Sequence, residues 1–334
     1  MSRLGLVIVS PALADANNGN WQTARRWQQL LSGRHSARIV REWPGASSAG
    51  TDAARADQVM LALHARRSAA SIEAWAQASP GRGLAVVLTG TDLYRDIAVD
   101  ERARRSLDLA QRVVVLQPEG LSALPVPLQG TAQAIFQSTS ERRVLAKSSR
   151  HLRAVMVGHL RDEKDPLTLM AAARLLRDEP GIAIDHIGAP LDPALGEAAL
   201  QTAAACPGYR WLGARPHEAT RRHIQRAHVL VHASRMEGGA HVVMEAVRCG
   251  TPVLASAIPG NIGMLGADYD GYFAPGDSEG LARLLRRCHS ELAMAPSRRL
   301  LDRLQAQCAR RSPLFAPDAE RTALYRLVDS LWTS

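Results

Sequence analysis

Residues 228–256, HVLVHASRMEGGAHVVMEAVRCGTPVLAS, contain the clearest indication of the fold of this chain. Short apolar runs at 228–234 and 252–256 are typical of buried strands, and residues 240–249 between them have apolar side chains at helical spacing. Two strands joined by a helix form a βαβ unit, whose strands lie parallel in one sheet. The sequence therefore predicts a parallel sheet with helices packed on its faces.

The same alternation occurs in two separate stretches of the chain. The predicted strands are 4–10, 37–43, 58–64, 84–90 and 112–117, followed by 151–158, 182–188, 209–213, 228–234 and 252–256. The predicted helices include 20–32, 66–79, 98–109, 166–177, 216–227, 240–249 and most of the chain after 277. We therefore predict an α/β fold of two doubly wound Rossmann-like domains with an interdomain cleft. Ligands bind such sheets at the carboxyl ends of the strands.

A break in this alternation indicates where one domain ends and the next begins. The chain has 334 residues, which is long for a single core. Residues 118–150 are rich in proline and polar side chains, and 138–150 is the predicted linker. We expect an N-terminal domain over 1–145 and a second domain over 146–312.

Composition limits the partners and the compartment. Lysine and arginine number 41 against 32 aspartates and glutamates, a net charge of +9. This balance favours anionic partners such as phosphates and nucleotides, although solvated arginine-rich helix faces would produce it as well. The four cysteines form no CxxC pair, and no apolar run approaches the length of about 18 residues that a membrane span needs. We therefore expect a cytoplasmic protein without a membrane span, a thiolate zinc site or a disulfide framework.

Two polar loops follow predicted strands of the first domain. The NNGN cluster at 17–20 precedes a helix, whose first amides can bind an anion. The TGTD segment at 89–92 lies at the same edge of the predicted sheet. Both are candidate acceptor loops, although ordinary capped turns have the same composition. The candidate residues are Asn17, Asn18, Gly19, Asn20, Arg25, Arg26, Thr89, Gly90, Thr91 and Asp92.

A charged loop, VGHLRDEKDP at 157–166, follows the first strand of the second domain. Gly158 permits a tight turn, and Lys164 is a flexible point charge suited to a phosphate. His159 and Arg161 add donors. The loop is a candidate phosphate-binding site, although a charged surface loop would look similar.

Glu237 and Glu245 lie on either side of a predicted helix start. Glu245 falls beside the predicted buried stripe, which consists of Val242, Val243, Ala246 and Val247. A carboxylate there can accept two hydrogen bonds from a vicinal diol such as ribose. Glu237 and the amides of Gly238 and Gly239 are placed where a sugar and its diphosphate would lie. Complementing the helix dipole would explain Glu237 but not the spacing.

No metal site is predicted. The DYD triplet at 268–270 lies among glycines and is predicted to be a turn. We expect surface or core roles for the dispersed histidines His217, His223, His228 and His232. His241, beside the two glycines, is instead a candidate sugar contact.

The spacing of the two glutamates resembles the E-x7-E signature of retaining family 4 glycosyltransferases, which have the GT-B fold. The flanking S-x-x-E-G and E-A-x-x-x-G-T-P patterns extend the resemblance. The loop from Gly158 to Lys164 resembles the diphosphate-binding G-R-L…K segment of that family, with His159 where the usual arginine stands. The resemblance implies that a C-terminal helix, 313–334, crosses back to the first domain. It also implies that the enzyme needs no metal or cofactor.

Three stretches together, NNGNWQTARRWQQLL, VLTGTDLYRD and VGHLRDEKDP, resemble the selenosugar synthases of selenoneine biosynthesis. That subfamily implies a UDP-N-acetylglucosamine or UDP-glucose donor and selenophosphate as acceptor. The products would be a 1-seleno-sugar, UDP and phosphate, and an enzyme that supplies selenophosphate would be the pathway partner. By position, the catalytic residues would be Glu237, Lys164 and Arg161. The donor-binding residues would be Glu245, Gly238, Gly239, His241, Gly158, His159, Gly213 and Arg215.

Two other functions compete with this one. The first is a family 4 transferase that uses an oxygen acceptor, either a small metabolite or a lipid. The second is a non-catalytic protein that binds anions or nucleic acid through its basic charge. The sequence contains no aromatic–basic interleaving, zinc module or helix-turn-helix signal, so binding to nucleic acid is disfavoured.

Overall fold

A computed structural model of the chain describes residues 3–13, 19–44, 54, 56–295 and 298–333. These residues form two compact units. The first unit extends to residue 138 and also includes the segment from 317 onward, and the second unit is 139–316. The predicted bounds 1–145, 146–312 and 313–334 remain predictions beside this division.

Each unit contains a parallel six-stranded sheet. The strand order is β2-β1-β3-β4-β5-β6 in the first unit and β12-β11-β10-β7-β8-β9 in the second. The predicted α/β architecture of two doubly wound sheets is confirmed. The strands are β1 Gly5–Val9, β2 Ser36–Val40, β3 Val59–Leu63, β4 Leu84–Val87, β5 Arg112–Val115, β6 Ala132–Ala134, β7 Leu152–Val157, β8 Ile182–Ile187, β9 Tyr209–Trp211, β10 Val229–His232, β11 Val253–Ser256 and β12 Tyr272–Phe273.

Helices connect the strands, and their first residues follow local capping rules. Asp100 accepts a hydrogen bond from the amide of Ala103, and Asp277 accepts one from Gly280. Such caps contribute about 1 kcal/mol each. The α-helices are α1 Gly19–Leu31, α2 Ala69–Ala78, α3 Ile97–Val99, α4 Glu101–Asp108, α5 Glu119–Ser122, α6 Val126–Gln129, α7 Pro166–Leu175, α8 Pro193–Ala205, α9 His217–Arg226, α10 His241–Val247, α11 Pro259–Leu265, α12 Ser278–Ser290, α13 Leu300–Arg311 and α14 Pro317–Trp332.

The last helix, α14, belongs to the core of the first unit. Its Leu324 and Leu327 are buried in one cluster with Ile8 of β1 and Trp27 of α1. Burial of each leucine contributes about 1.5–3 kcal/mol. A buried carboxylate on α14, Glu320, accepts hydrogen bonds from Trp27 Nε1 at 2.7 Å and from Ser138 Oγ at 2.5 Å. Helix α14 therefore packs on one face of the first sheet, together with α1.

In the second unit, the strand register aligns three loops. β10 lies between β7 and β11, with Leu230 paired to Val155 on one side and to Val253 on the other. Because the strands are parallel, the segments that follow β7, β10 and β11 leave the sheet at the same edge. None of the helices in the described segments is long and apolar enough to span a membrane.

Candidate functional site

The loops after β7 and β10 meet at the carboxyl edge of the second sheet. The amide of Arg235 donates to the carbonyl of Glu163 at 2.9 Å, and Arg235 Nε lies 3.1 Å from Asp165 Oδ2. These contacts follow from the adjacency of the two strands. They bring the charged loop 158–165 and the glycine loop 233–240 side by side.

Glu237 lies where these two loops meet and contacts side chains from both. Its carboxylate accepts a hydrogen bond from Lys164 Nζ and another from Ser234 Oγ at 2.8 Å. His232 Nε2 lies 3.5 Å from the same oxygen. Burial alone would raise the pKa of Glu237. Lys164 and His232 lower the pKa by more than burial raises it, so the pKa lies below its usual range. Glu237 is therefore ionised and fixed in one position, next to a lysine from the other loop.

The backbone of Glu237 is tightly packed against Gly260, whereas the backbone amides that follow Glu237 make no hydrogen bond within the described residues. A Cβ at Gly260 would lie 2.1 Å from the carbonyl oxygen of Glu237, so only glycine fits where α11 begins. Within the described segments, the amides of Gly238 and Gly239 donate to no acceptor. Two amide donors therefore stand beside the Lys164–Glu237 pair.

Glu245 lies on α10, where its carboxylate is buried. The residue is 4% exposed, and its Oε1 lies 2.6 Å from His217 Nε2 and 3.7 Å from Arg221 Nε. The hydrogen bond to Glu245 raises the pKa of His217. The predicted position of Glu245 beside the buried stripe is corrected. Glu245 and Met244 are themselves buried, whereas Val242 is only half-buried, because α9 covers this side of the short helix.

The loop after β7 places its three predicted donors differently. His159 Nδ1 accepts a hydrogen bond from the amide of Ala189 at 3.1 Å. Burial, followed by the charges of Arg161 and Lys164, lowers the pKa of His159, so its imidazole is neutral at pH 7. The Arg161 side chain is 47% exposed, 3.8 Å from Glu163. Arg161 and Lys164 therefore carry the positive charge of this loop. Gly158 adjoins Lys164, because a Cβ there would lie 3.4 Å from the lysine side chain.

Three further predicted donor residues flank these loops. His241 is the first residue of α10 and is half-buried. Gly213 follows β9 with a φ of +67°, a left-handed conformation that favours glycine. Arg215 is exposed just before α9. Their contacts with a donor remain predictions.

In the first unit, the predicted acceptor residues Asn17 and Asn18 lie outside the described residues. Gly19 and Asn20 begin α1, and Arg25 is exposed on it. Arg26 has a partner that the sequence did not indicate, because its Nε donates to the buried Glu320 at 2.9 Å. The guanidinium of Arg26 therefore helps to hold α14, and Arg25 is the exposed cation of the pair.

The TGTD loop corrects one prediction. Asp92 is fully buried, and its carboxylate accepts hydrogen bonds from the amides of Thr89 at 2.8 Å, Gly90 at 2.9 Å and Ala65 at 3.2 Å. Asp92 therefore shapes its own loop and does not face an acceptor. Thr91 remains half-buried at the strand edge.

Sequence reasoning missed several residues at both edges. In the first unit, His64 has a φ of +72° and lies 3.5 Å from Thr91 Oγ1, at the end of β3. In the second unit, His217 and His232 were expected to have only surface or core roles. His217 contacts Glu245, and His232 contacts Glu237. Only a polar side chain at the end of a strand could have indicated His64 and His232. Nothing local indicates His217.

The DYD triplet is a turn, as the sequence predicted. Tyr269 is buried, and its hydroxyl bonds to the backbone of Val253 at 2.6 and 3.0 Å. Among the residues that the structure describes, no three histidine, cysteine or carboxylate side chains form a metal cluster.

Residues 137–295 match the sequence model of the family Glycosyl transferases group 1. A curated relative, the D-inositol 3-phosphate glycosyltransferase of Geodermatophilus obscurus, is 34% identical over 133 residues, which cover 36% of this chain and 29% of the relative. The chain spans less than half the length of the curated relatives it matches.

Solved structures extend the comparison to both units. Sucrose-phosphate synthase from Thermosynechococcus elongatus is similar with a TM-score of 0.76 and 18% identity, covering 99% of this chain and 100% of that one. Anabaena HepE in complex with UDP and glucose is similar with a TM-score of 0.72 and 15% identity, covering 98% and 100%. These likenesses confirm the predicted GT-B fold. The chain therefore has the GT-B fold, and its residues 137–295 are similar to the group 1 glycosyltransferases.

Proposed function

We propose that this protein transfers a sugar from a UDP-sugar, and that the sugar leaves UDP at the edge formed by the loops after β7 and β10. The observation that carries this proposal is the partly buried ion pair between Lys164 and Glu237, beside the unpaired amides of Gly238 and Gly239. Cations and amides bind a diphosphate, and a fixed carboxylate accepts hydrogen bonds from sugar hydroxyls. The complex of HepE with UDP and glucose, a protein of the same fold, supports this choice of ligand.

The donor residues then have distinct tasks. Lys164 and Arg161 neutralise the departing diphosphate, and Glu237 orients the sugar. Glu245 accepts hydrogen bonds from the ribose hydroxyls. The remaining predicted contacts surround them, namely Gly158, His159, Gly213, Arg215 and His241. Positioning and charge stabilisation of this kind supply most of the rate enhancement when the leaving group is an anion.

The proposed acceptor is selenophosphate. Its anionic selenium attacks C1 of the sugar, the bond from C1 to the UDP oxygen breaks, and UDP leaves with the electron pair. Water then attacks phosphorus, the selenium–phosphorus bond breaks, and phosphate and the 1-seleno-sugar are released. Selenium needs little general-base assistance because it is already ionised. Resemblance to the selenosugar synthases and the net charge of +9 support this acceptor.

The acceptor would bind at the loops of the first unit. Arg25 is exposed and can pair with the phosphate oxygens, while Thr89 and Thr91 offer hydroxyls. Gly19, Asn20 and Gly90 supply backbone at the same strand edge, and Asn17 and Asn18 precede them in the sequence.

A second candidate function is transfer to an oxygen acceptor that carries a phosphate. The observation that favours it is the curated relative named for D-inositol 3-phosphate. The same exposed arginine would bind the acceptor phosphate, but a hydroxyl nucleophile would also need a general base.

The first experiment measures UDP release from UDP-N-acetylglucosamine and from UDP-glucose, with and without selenophosphate, and records the product mass. We expect release that depends on selenophosphate and a product with the isotope pattern of selenium. The Glu237→Gln variant should lose this activity. The control Glu179→Gln, which removes a carboxylate that pairs with Arg286 on the surface, should keep it. Donor binding without release would discard selenophosphate and direct attention to oxygen acceptors. No donor binding would overturn the proposal.

A further inference from the structure

Helix α9 turns two basic side chains towards the buried carboxylate of Glu245. His217 begins the helix, and Arg221 follows one turn later, so both lie on the same helix face. His217 Nε2 lies 2.6 Å from Glu245 Oε1, and Arg221 Nε lies 3.7 Å from that oxygen. Both contacts involve a single carboxylate oxygen.

The other oxygen of Glu245 has no such partner. Among the described residues, no side chain or amide donates a hydrogen bond to Oε2, and this atom is not sealed from solvent. The carboxylate is therefore held at one oxygen and available at the other. A carboxylate fixed in this way is preorganised to accept hydrogen bonds from a ligand.

The two basic residues differ in exposure. The His217 side chain is 67% exposed, whereas the side chain of Arg221 is 10% exposed and that of Glu245 is 4% exposed. Arg221 also donates to Ser140 Oγ and to its carbonyl, which anchors it elsewhere. His217 is thus the partner of Glu245 that lies at the surface.

The geometry points to His217 as a positioning residue of the nucleotide site, one that holds Oε1 of Glu245 so that Oε2 accepts hydrogen bonds from the ribose hydroxyls of a uridine nucleotide sugar. This inference rests on the proposed function, which assigns Glu245 to the ribose. It adds a residue from a different helix, one with no part in the E-x7-E pattern.

The charges around His217 make this positioning dependent on pH. Glu245 faces His217 from α10, and Arg221 and Glu218 lie on its own helix, with Arg142 paired to Glu218. The hydrogen bond to Glu245 raises the pKa of His217, so its imidazolium is stable to higher pH than that of a free histidine. A charge-assisted hydrogen bond is stronger than a neutral one. Nucleotide-sugar binding should therefore weaken as pH rises through the pKa of His217.

The test is calorimetric titration of UDP-glucose and UDP-N-acetylglucosamine from pH 6 to pH 9. Nucleotide sugars are the appropriate probes, because the terminal phosphate of free UDP itself titrates near pH 6. We expect His217→Ala to weaken binding about tenfold at pH 6 and to flatten the pH profile. His217→Gln keeps an N–H donor, so it should recover most of the affinity without the pH dependence. His223→Ala removes an α9 histidine that pairs with Asp185, and it should behave as the wild type.

Each other outcome overturns the inference. Unchanged binding in His217→Ala would show that Glu245 needs no positioning, and tighter binding would show that His217 blocks the carboxylate. A lower melting temperature with the wild-type pH profile in both variants would show a structural role only. If the wild type binds and His217→Ala binds equally well, the inference alone fails. If the wild type binds neither nucleotide sugar, the proposed function fails as well.

Discussion

The TGTD loop of the first unit and the glycine loop of the second both follow a parallel strand, yet their carboxylates have different partners. Asp92 accepts hydrogen bonds from three backbone amides, two of them in its own loop. Glu237 instead bonds to two side chains, Lys164 and Ser234. It leaves the neighbouring amides of Gly238 and Gly239 unpaired within the described residues.

This difference separates a carboxylate that satisfies its own loop from one that leaves backbone donors beside it unpaired. When a carboxylate satisfies the amides of its own loop, the loop is closed and no donor remains for a ligand. Glu237 is held by Lys164 from the other loop and by Ser234 from its own, so the amides of Gly238 and Gly239 stay available. On the proposed function, the first unit would bind the acceptor through exposed side chains, and the second would bind the donor through backbone amides and charge.

The largest expected effect tests the functional side of the comparison. On the proposed function, Lys164→Met should reduce selenophosphate-dependent UDP release about a hundredfold or more, because it removes the cation proposed to stabilise the leaving diphosphate. The variant keeps Ser234 as a partner of Glu237, and a steady-state assay at saturating donor measures the effect. Arg177→Met, a change to an exposed arginine of the same unit, is the control. Equal rates in both variants would remove Lys164 from the site.

The next effect tests the structural side. Asp92→Ala should lower the free energy of unfolding by about 3 kcal/mol or more, because it leaves buried amides of Ala65, Thr89 and Gly90 without acceptors. The shift in the urea midpoint measures it, with the exposed Asp108→Ala as control. A midpoint like that of the control would mean that Asp92 is free to serve a ligand, and the comparison between the two loops would fail.

The fold was predictable because it depends on periodicity alone. The buried strand Val59–Leu63 lies within the predicted run 58–64, and all of its residues are apolar and buried. The helix Pro193–Ala205 was missed because its alanine-rich sequence has no clear apolar stripe, and Ala132–Ala134 was missed because three residues show no period.

The site was predictable only where its residues are local or match a family spacing. Lys164 and Glu237 were identified from loop composition and resemblance, and the structure places them in contact. His217 is 28 positions from Glu245, and their contact arises from the packing of α9 on α10, which no local pattern encodes. Asp92 shows the opposite difficulty, because a sequence does not reveal whether a carboxylate faces a ligand or its own loop.

A third change, at Gly260, perturbs the glycine loop through its contact with the backbone of Glu237. Gly260→Ala should lower the free energy of unfolding by about 1–3 kcal/mol, because the new Cβ would lie 2.1 Å from the carbonyl oxygen of Glu237. Relaxation of this clash displaces Glu237, so the dissociation constant of the donor should rise as well. Gly130→Ala, where a Cβ would meet nothing within 4 Å, is the control for both measurements. Wild-type donor affinity in Gly260→Ala would show that the loop tolerates displacement.

The smallest expected effect is the loss at low pH of the stability that the Glu237 carboxylate contributes. The pKa of Glu237 is lower in the folded protein than its ordinary value of about 4.3. Its contribution to stability is therefore fully present above that ordinary value and is lost as pH falls towards the folded-state pKa. The difference in unfolding free energy between the wild type and Glu237→Gln should stay constant from pH 7 to pH 5 and narrow below about pH 4. Denaturant titrations at pH 7, 5 and 3 measure it. If the difference does not change down to pH 3, Lys164 and Ser234 stabilise the Glu237 carboxylate no more in the folded state than water does in the unfolded state. The comparison of the two loops, which depends on a stabilised carboxylate at Glu237, would then fail.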